Sequence, residues 1–235
     1  MNVLLNINNF SEPFAYSVLK DIIKKNMRVL IIPFSYHEDW IKNAKDFDQH
    51  YQRGKDEYED IAKEFVNYGI PKRHIKVLHY YKYSNKKCKS MIYNADILFL
   101  IGGYPDKLLY RIDQKNIRKS IQNFRGIVMG TSAGAMVQFD HYHVTPEEEG
   151  QEYEYHDGLG LLSGFDIEVH YEETFNHLAG VLIDLKLHNV PIFALPNTGG
   201  MIIDRDDYCL LGDAFEIGEK DIDFLQEKIN KIVEK

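Results

Sequence analysis

The segment Ile127-Val128-Met129-Gly130-Thr131-Ser132-Ala133-Gly134-Ala135-Met136-Val137 decides how the chain is read. An apolar run meets a turn of small residues and then resumes as an apolar segment, which predicts a strand, a sharp turn and a helix in succession. A serine at such a turn is presented as a nucleophile. Small neighbours let the backbone pass closely, and the following helix N-terminus places positive dipole near a developing oxyanion. Serine is also a favoured N-cap residue, so a plain helix cap at Ser132 is the competing structural reading. Gly-x-Ser-x-Gly occurs often by chance; the position after a buried strand gives this copy its weight.

Working outward, short apolar runs rich in β-branched residues alternate with polar or helix-periodic segments. Val3–Ile7, Arg28–Pro33, Ile75–Leu78, Ile97–Ile101, Gly126–Met129, Asp166–Val169, Ile192–Leu195 and Met201–Ile203 are expected as strands, most of them apolar enough to be buried on both faces. Helices are expected over Tyr51–Tyr68, Asp113–Phe124, Ala179–His188 and Asp221–Val233. The fold class is therefore α/β, a three-layer arrangement with a mainly parallel sheet flanked by helices. No repeat or Pro/Gly-rich linker divides the chain, so residues 1–235 are expected to form a single domain. The acidic, aromatic stretch Thr145–Gly158 has no periodicity and is expected as an exposed loop or lid.

The chain has 235 residues, 44% of them apolar, and a formal net charge of −8. That balance argues against a general phosphate-backbone binder, so no nucleic-acid partner is expected. The longest apolar runs fall short of the roughly 18 residues of a membrane helix, and the basic leader of a secretory signal is absent; a cytoplasmic protein with no membrane partner is expected. Cys88 and Cys209 make neither a disulfide framework nor a metal-ligand spacing. No cofactor and no metal site are expected.

Leu100-Ile101-Gly102-Gly103-Tyr104-Pro105 follows another buried strand, and its glycines expose backbone N–H groups. One from Gly102 or Gly103, with that of Ala133, would make an oxyanion hole. Among ten histidines, His170 ends the apolar segment Gly164–Val169, at the carboxyl end of a strand, where open α/β sheets place their sites. His141, His143 and His156 belong to the polar region after the turn and read as surface histidines. His177 and His188 fall on a helix and its end.

With these segments in view, the chain resembles the serine dipeptidases typified by α-aspartyl dipeptidase (peptidase E), with cyanophycinase as a more distant relative. The resemblance spans nearly the whole chain, through Arg28–Pro33, the Gly102-Gly103 loop, Gly130–Ala135 and Gly158-Leu159-Gly160-Leu161-Leu162 leading into His170-Tyr171. It implies a class I glutamine amidotransferase-like fold, a small peptide substrate cleaved without metal, Ser132 as nucleophile, His170 as general base, and Gly103 and Ala133 as oxyanion donors.

Two departures from the family pattern follow. Where the family carries its triad acid, this chain reads Leu195-Pro196-Asn197-Thr198-Gly199-Gly200. Asn197 would orient an imidazole without the charge of a carboxylate; Asp157, Glu172, Glu173 and Asp204 stay open as alternative acids. There is also no arginine between Arg125 and Arg205 to bind an acidic substrate side chain. The expected activity is that of a serine peptidase acting through an acyl-enzyme, with a peptide-binding protein of impaired catalysis as the alternative. A homodimer is compatible with these residues, which do not decide subunit number.

Overall fold

The computed structural model describes residues 1–146 and 152–234. In chain order the strands are β1 (Asn2–Leu5), β2 (Val29–Ile32), β3 (Ile75–Val77), β4 (Ile97–Leu100), β5 (Ile127–Thr131), β6 (His141–Val144), β7 (Glu154–Asp157), β8 (Asp166–Val169), β9 (Ile192–Leu195), β10 (Gly199–Asp204), β11 (Asp207–Gly212) and β12 (Phe215–Ile217). The helices are α1 (Pro13–Leu19), α2 (Ala44–Tyr51), α3 (Asp56–Asn67), α4 (Asn85–Tyr93), α5 (Pro105–Gln114), α6 (Arg118–Gln122), α7 (Ala133–Met136), α8 (Phe175–His188) and α9 (Ile222–Val233).

Seven strands form the central sheet in the order β11-β10-β1-β5-β4-β2-β3. The five from β1 to β3 in that order run parallel, and β10 and β11 extend the sheet antiparallel. Unbroken apolar strands need cover on both faces, and alternation of side chains supplies two cores. Leu5, Ile31, Phe99 and Met129 pack with α1, α2 and α3 on one side. Leu4, Leu30, Leu98 and Val128 pack with α4 to α7 on the other. The expected mainly parallel sheet flanked by helices is the observed architecture.

Two of the expected strands lie elsewhere. β8 and β9 pair in parallel, and with antiparallel β12 they make a separate three-stranded sheet. Ile167, Phe193 and Leu195 face the second core, while Ile192 and Ala194 face a third, closed by Leu178, Val181 and Leu185 of α8 and Leu225 and Ile229 of α9.

Boundaries shift for local reasons. The helix expected over Tyr51–Tyr68 is α3 and starts only at Asp56, because the chain turns through residues 52–55; Tyr51 ends a separate, unexpected helix, α2, which starts at an Asn43 cap whose side chain accepts from the Lys45 and Asp46 N–H groups. Asp113–Phe124 is likewise interrupted at Asn116, whose φ is +51°, and α5 begins earlier with Pro105 at its first turn. Thr145–Gly158 is not wholly loop, because β7 pairs antiparallel with β6. Residues 147–151 of that stretch lie outside the described residues.

Candidate active site

β5 passes into α7 through Ser132, which sits at φ +49° and ψ −119°, a conformation that non-glycine residues rarely adopt. The turn is held from both sides. Ser132 N–H donates to Leu5 O of β1 (2.9 Å), and Ser132 O accepts from Ala135 N–H (2.7 Å) and Met136 N–H (3.0 Å). The Ser132 side chain makes no capping hydrogen bond, so the plain cap reading does not describe it.

The Gly102-Gly103 loop lies against this turn. Gly102 N–H donates to Thr131 Oγ1 (3.1 Å) and is thereby engaged, whereas the Gly103 N–H has no protein acceptor among the described residues. Gly103 has φ +128°, and a Cβ there would stand 2.5 Å from Ser35 O, so the position takes only glycine. Ser35 braces the loop: its hydroxyl donates to Gly102 O (2.5 Å), and its carbonyl accepts from Tyr104 N–H (2.8 Å).

His170 follows β8 at φ +53°. Its Nδ1 lies 3.1 Å from Asn197 Oδ1, and its backbone N–H donates to Asn6 Oδ1 (2.9 Å). Asn6 is buried and donates through Nδ2 to Leu195 O, joining the ends of β1, β8 and β9. Asn9 Nδ2 donates to Asn197 O (2.9 Å). None of the alternative acids hydrogen-bonds His170 among the described residues: Asp157 pairs with His141 and Glu173 with Lys228, while Glu172 and Asp204 are exposed. Asn6 escaped the sequence reading, although a polar residue closing an apolar strand next to the serine turn was its available signal.

Ser132, His170 and Gly103 line two adjoining cavities. One, of about 370 Å³, opens between the serine turn and α3 and is also lined by Asn8, Tyr51, Glu57 and Asp60. The other, of about 100 Å³, runs toward Glu168 and His177.

Behind the second cavity lies a buried polar cluster that corrects the reading of His143 as a surface histidine. His143 is 2% exposed; Nδ1 lies 2.8 Å from Asp166 Oδ2, and Nε2 lies 2.5 Å from Glu168 Oε2. Burial alone opposes charge on this imidazole, but the two carboxylates outweigh it and hold His143 well above its ordinary range. His177, on α8 as expected, is half-buried with Nδ1 on Glu168 Oε1. His141 and His143 stand two apart on β6 and so share a face, but only His143 is covered, by Asp166 of β8 and Asp184 of α8, whereas His141 pairs with exposed Asp157; the polar composition of the segment hid that difference.

A mostly parallel α/β sheet with a strained serine between strand and helix and a histidine at a neighbouring strand end defines a serine-type hydrolase of the class I glutamine amidotransferase-like fold. The chain belongs to Peptidase family S51, whose family model matches residues 12–210, and is a serine-type peptidase. Among solved structures it is similar to a protein from Listeria monocytogenes EGD-e assigned as a peptidase E, with 15% identity, a TM-score of 0.61, and coverage of 89% of this chain and 96% of that one. It is also similar to a peptidase from an acI-B1 Actinobacterium, with 16% identity, a TM-score of 0.60, and coverage of 92% and 93%. At such identities these two likenesses concern the fold. No curated protein matches the sequence.

Proposed function

We propose that Ser132 is the nucleophile of a dipeptidase-like serine peptidase that hydrolyses small peptides. The strained Ser132 turn, shared in one cavity with His170 and the Gly103 N–H, carries this reading. An Nδ1–H donating to Asn197 Oδ1 leaves His170 Nε2 unprotonated, the form a general base needs. His170 takes the serine proton as Ser132 attacks the peptide carbonyl, and the Gly103 and Ala133 N–H groups receive the oxyanion. His170 then protonates the leaving amine, and water resolves the acyl-enzyme. Labelling the native chain with a fluorophosphonate and locating the adduct by mass spectrometry tests this: the adduct belongs on Ser132, and modification elsewhere with none on Ser132 would overturn the assignment.

Asn197 orients His170 without neutralising the imidazolium. Asn197→Asp is therefore expected to raise kcat about tenfold or more, and Asn197→Leu to lower it by a similar factor, both read from initial rates on a dipeptide substrate. An unchanged kcat in both variants would remove Asn197 from the mechanism.

Among the described residues, the larger cavity is lined by Glu57 and Asp60 and by no lysine or arginine. Such a lining favours the free amino terminus or a basic side chain of a short peptide over an aspartyl residue. Glu57→Gln is expected to raise KM for a lysyl dipeptide about threefold to tenfold with kcat little changed, since an exposed charge contact contributes roughly 1 kcal/mol. Equal kcat/KM for lysyl and aspartyl dipeptides in the native chain would refute this specificity.

A further inference from the structure

We propose that His143, Asp166 and Asp184 form a binding site for one first-row divalent cation, buried between the β6–β7 hairpin, β8 and α8. Their donor atoms, one from each side chain, lie within 4.8 Å of one another, and all three residues are buried. His143 Nδ1 is 2.8 Å from Asp166 Oδ2 and 3.7 Å from Asp184 Oδ2. Donors of a tetrahedral ion with bonds of about 2.1 Å stand about 3.4 Å apart, so small movements bring all three into coordination.

The independent sign of a ligand is Asp184. Its carboxylate is 0% exposed, Oδ1 accepts from Tyr153 O–H (2.6 Å), and Oδ2 has no hydrogen-bond partner among the described residues. A buried carboxylate oxygen without a donor is costly, and it points at the imidazole nitrogen that would share the ion. The far side of that imidazole is arranged as metal-binding histidines require: His143 Nε2 is held by Glu168 Oε2 at 2.5 Å, and the same oxygen accepts from Thr145 Oγ1 (2.9 Å). Asp166, Glu168 and Asp184 thus converge on His143, with His177 on Glu168 and His188 Nε2 3.8 Å from Asp184 Oδ1; a divalent ion on the Asp166–Asp184 side would take the place of the proton on His143 Nδ1.

One imidazole nitrogen with carboxylate oxygens suits Zn²⁺, Co²⁺ or Mn²⁺ better than Ca²⁺ or Mg²⁺, which take oxygen donors. A lone proton on Nδ1 is the alternative occupant, and it binds no metal. His143 and Glu168 line the small cavity that Ser132 and His170 also line, whereas Asp166 and Asp184 do not, so the ion's role is to tie the hairpin to α8; the site stands or falls independently of the peptidase assignment.

The test is equilibrium dialysis of the full chain, stripped with EDTA, against micromolar Zn²⁺, with bound zinc counted by elemental mass spectrometry. One equivalent per chain is expected, with a thermal midpoint that rises until one equivalent is added, and no comparable binding of Mg²⁺ or Ca²⁺. Asp184→Asn and Asp166→Asn are each expected to weaken zinc binding at least tenfold, whereas His156→Ala, at a half-buried position whose imidazole pairs with Glu154, leaves it unchanged. Circular dichroism establishes that the variants are folded. Substoichiometric zinc in the native chain, or native affinity in both folded Asn variants, overturns the site. Should both variants unfold, the native stoichiometry and midpoint decide: a midpoint indifferent to zinc overturns it equally.

Discussion

Ser132→Ala is expected to lower kcat on any dipeptide substrate by roughly 10³-fold to 10⁶-fold, with KM changed only a few-fold, because the substitution removes the attacking atom and leaves the pocket walls in place. The side chain makes no hydrogen bond that supports α7, and the clamp on the turn is made by backbone groups: the Ser132 N–H on Leu5 O, and the Ser132 carbonyl beneath Ala135 and Met136. The variant should therefore retain the native thermal midpoint to within a few degrees. Steady-state rates and thermal unfolding on the same preparation check both halves, and a variant that keeps more than a tenth of native kcat would remove Ser132 as nucleophile.

The largest expected stability effect lies two residues before it. A Cβ on Gly130 would overlap the Gly134 carbonyl, and Gly134 is itself pressed against the Leu100 carbonyl of β4. Here α7 crosses the end of β5 with no room for a methyl group. Gly130→Ala is expected to destabilise the fold by about 3 kcal/mol, since neither backbone can retreat without opening the sheet. That corresponds to a fall in thermal midpoint of roughly 10 °C for a chain of this size. Gly218→Ala, where a Cβ meets nothing within 4 Å, should stay within about 0.5 kcal/mol of native. A Gly130→Ala midpoint equal to that of Gly218→Ala would contradict the packing argument.

The serine turn was legible because two needs coincide in it. Close crossing demands small residues and strand burial demands an apolar run, so Ile127–Val137 announces both. The doubly covered strands of the central sheet were legible for the same reason. Strands with one solvent-facing side were not: β7 and β11 carry Glu154, Asp157, Asp207 and Tyr208 at exposed positions, and that polarity reads as loop. The division into two sheets was hidden too, because β9 is as apolar as β1 and nothing in the spacing of β8 says which strand it pairs with. In the candidate site, Asn197 was expected beside His170 only from the resemblance, at the position where the family carries its triad acid, and the two are in contact. Asn6 and the buried partners of His143 depend on which strands become neighbours, a tertiary property that spacing does not carry.

The placement of β1 has a consequence for how the protein emerges from the ribosome. Val3 pairs with Met129 on one side and with Ile202 on the other. Both flanks of this apolar strand thus stay unsatisfied until distant segments have been synthesised, and the long-range pairing makes closure slow. The bond from Asn6 to the His170 backbone forms in the same late event. Nascent chains that stop short of β10 should therefore engage holdase chaperones and show no hydrolytic activity, because β1 then has only one of its two partner strands.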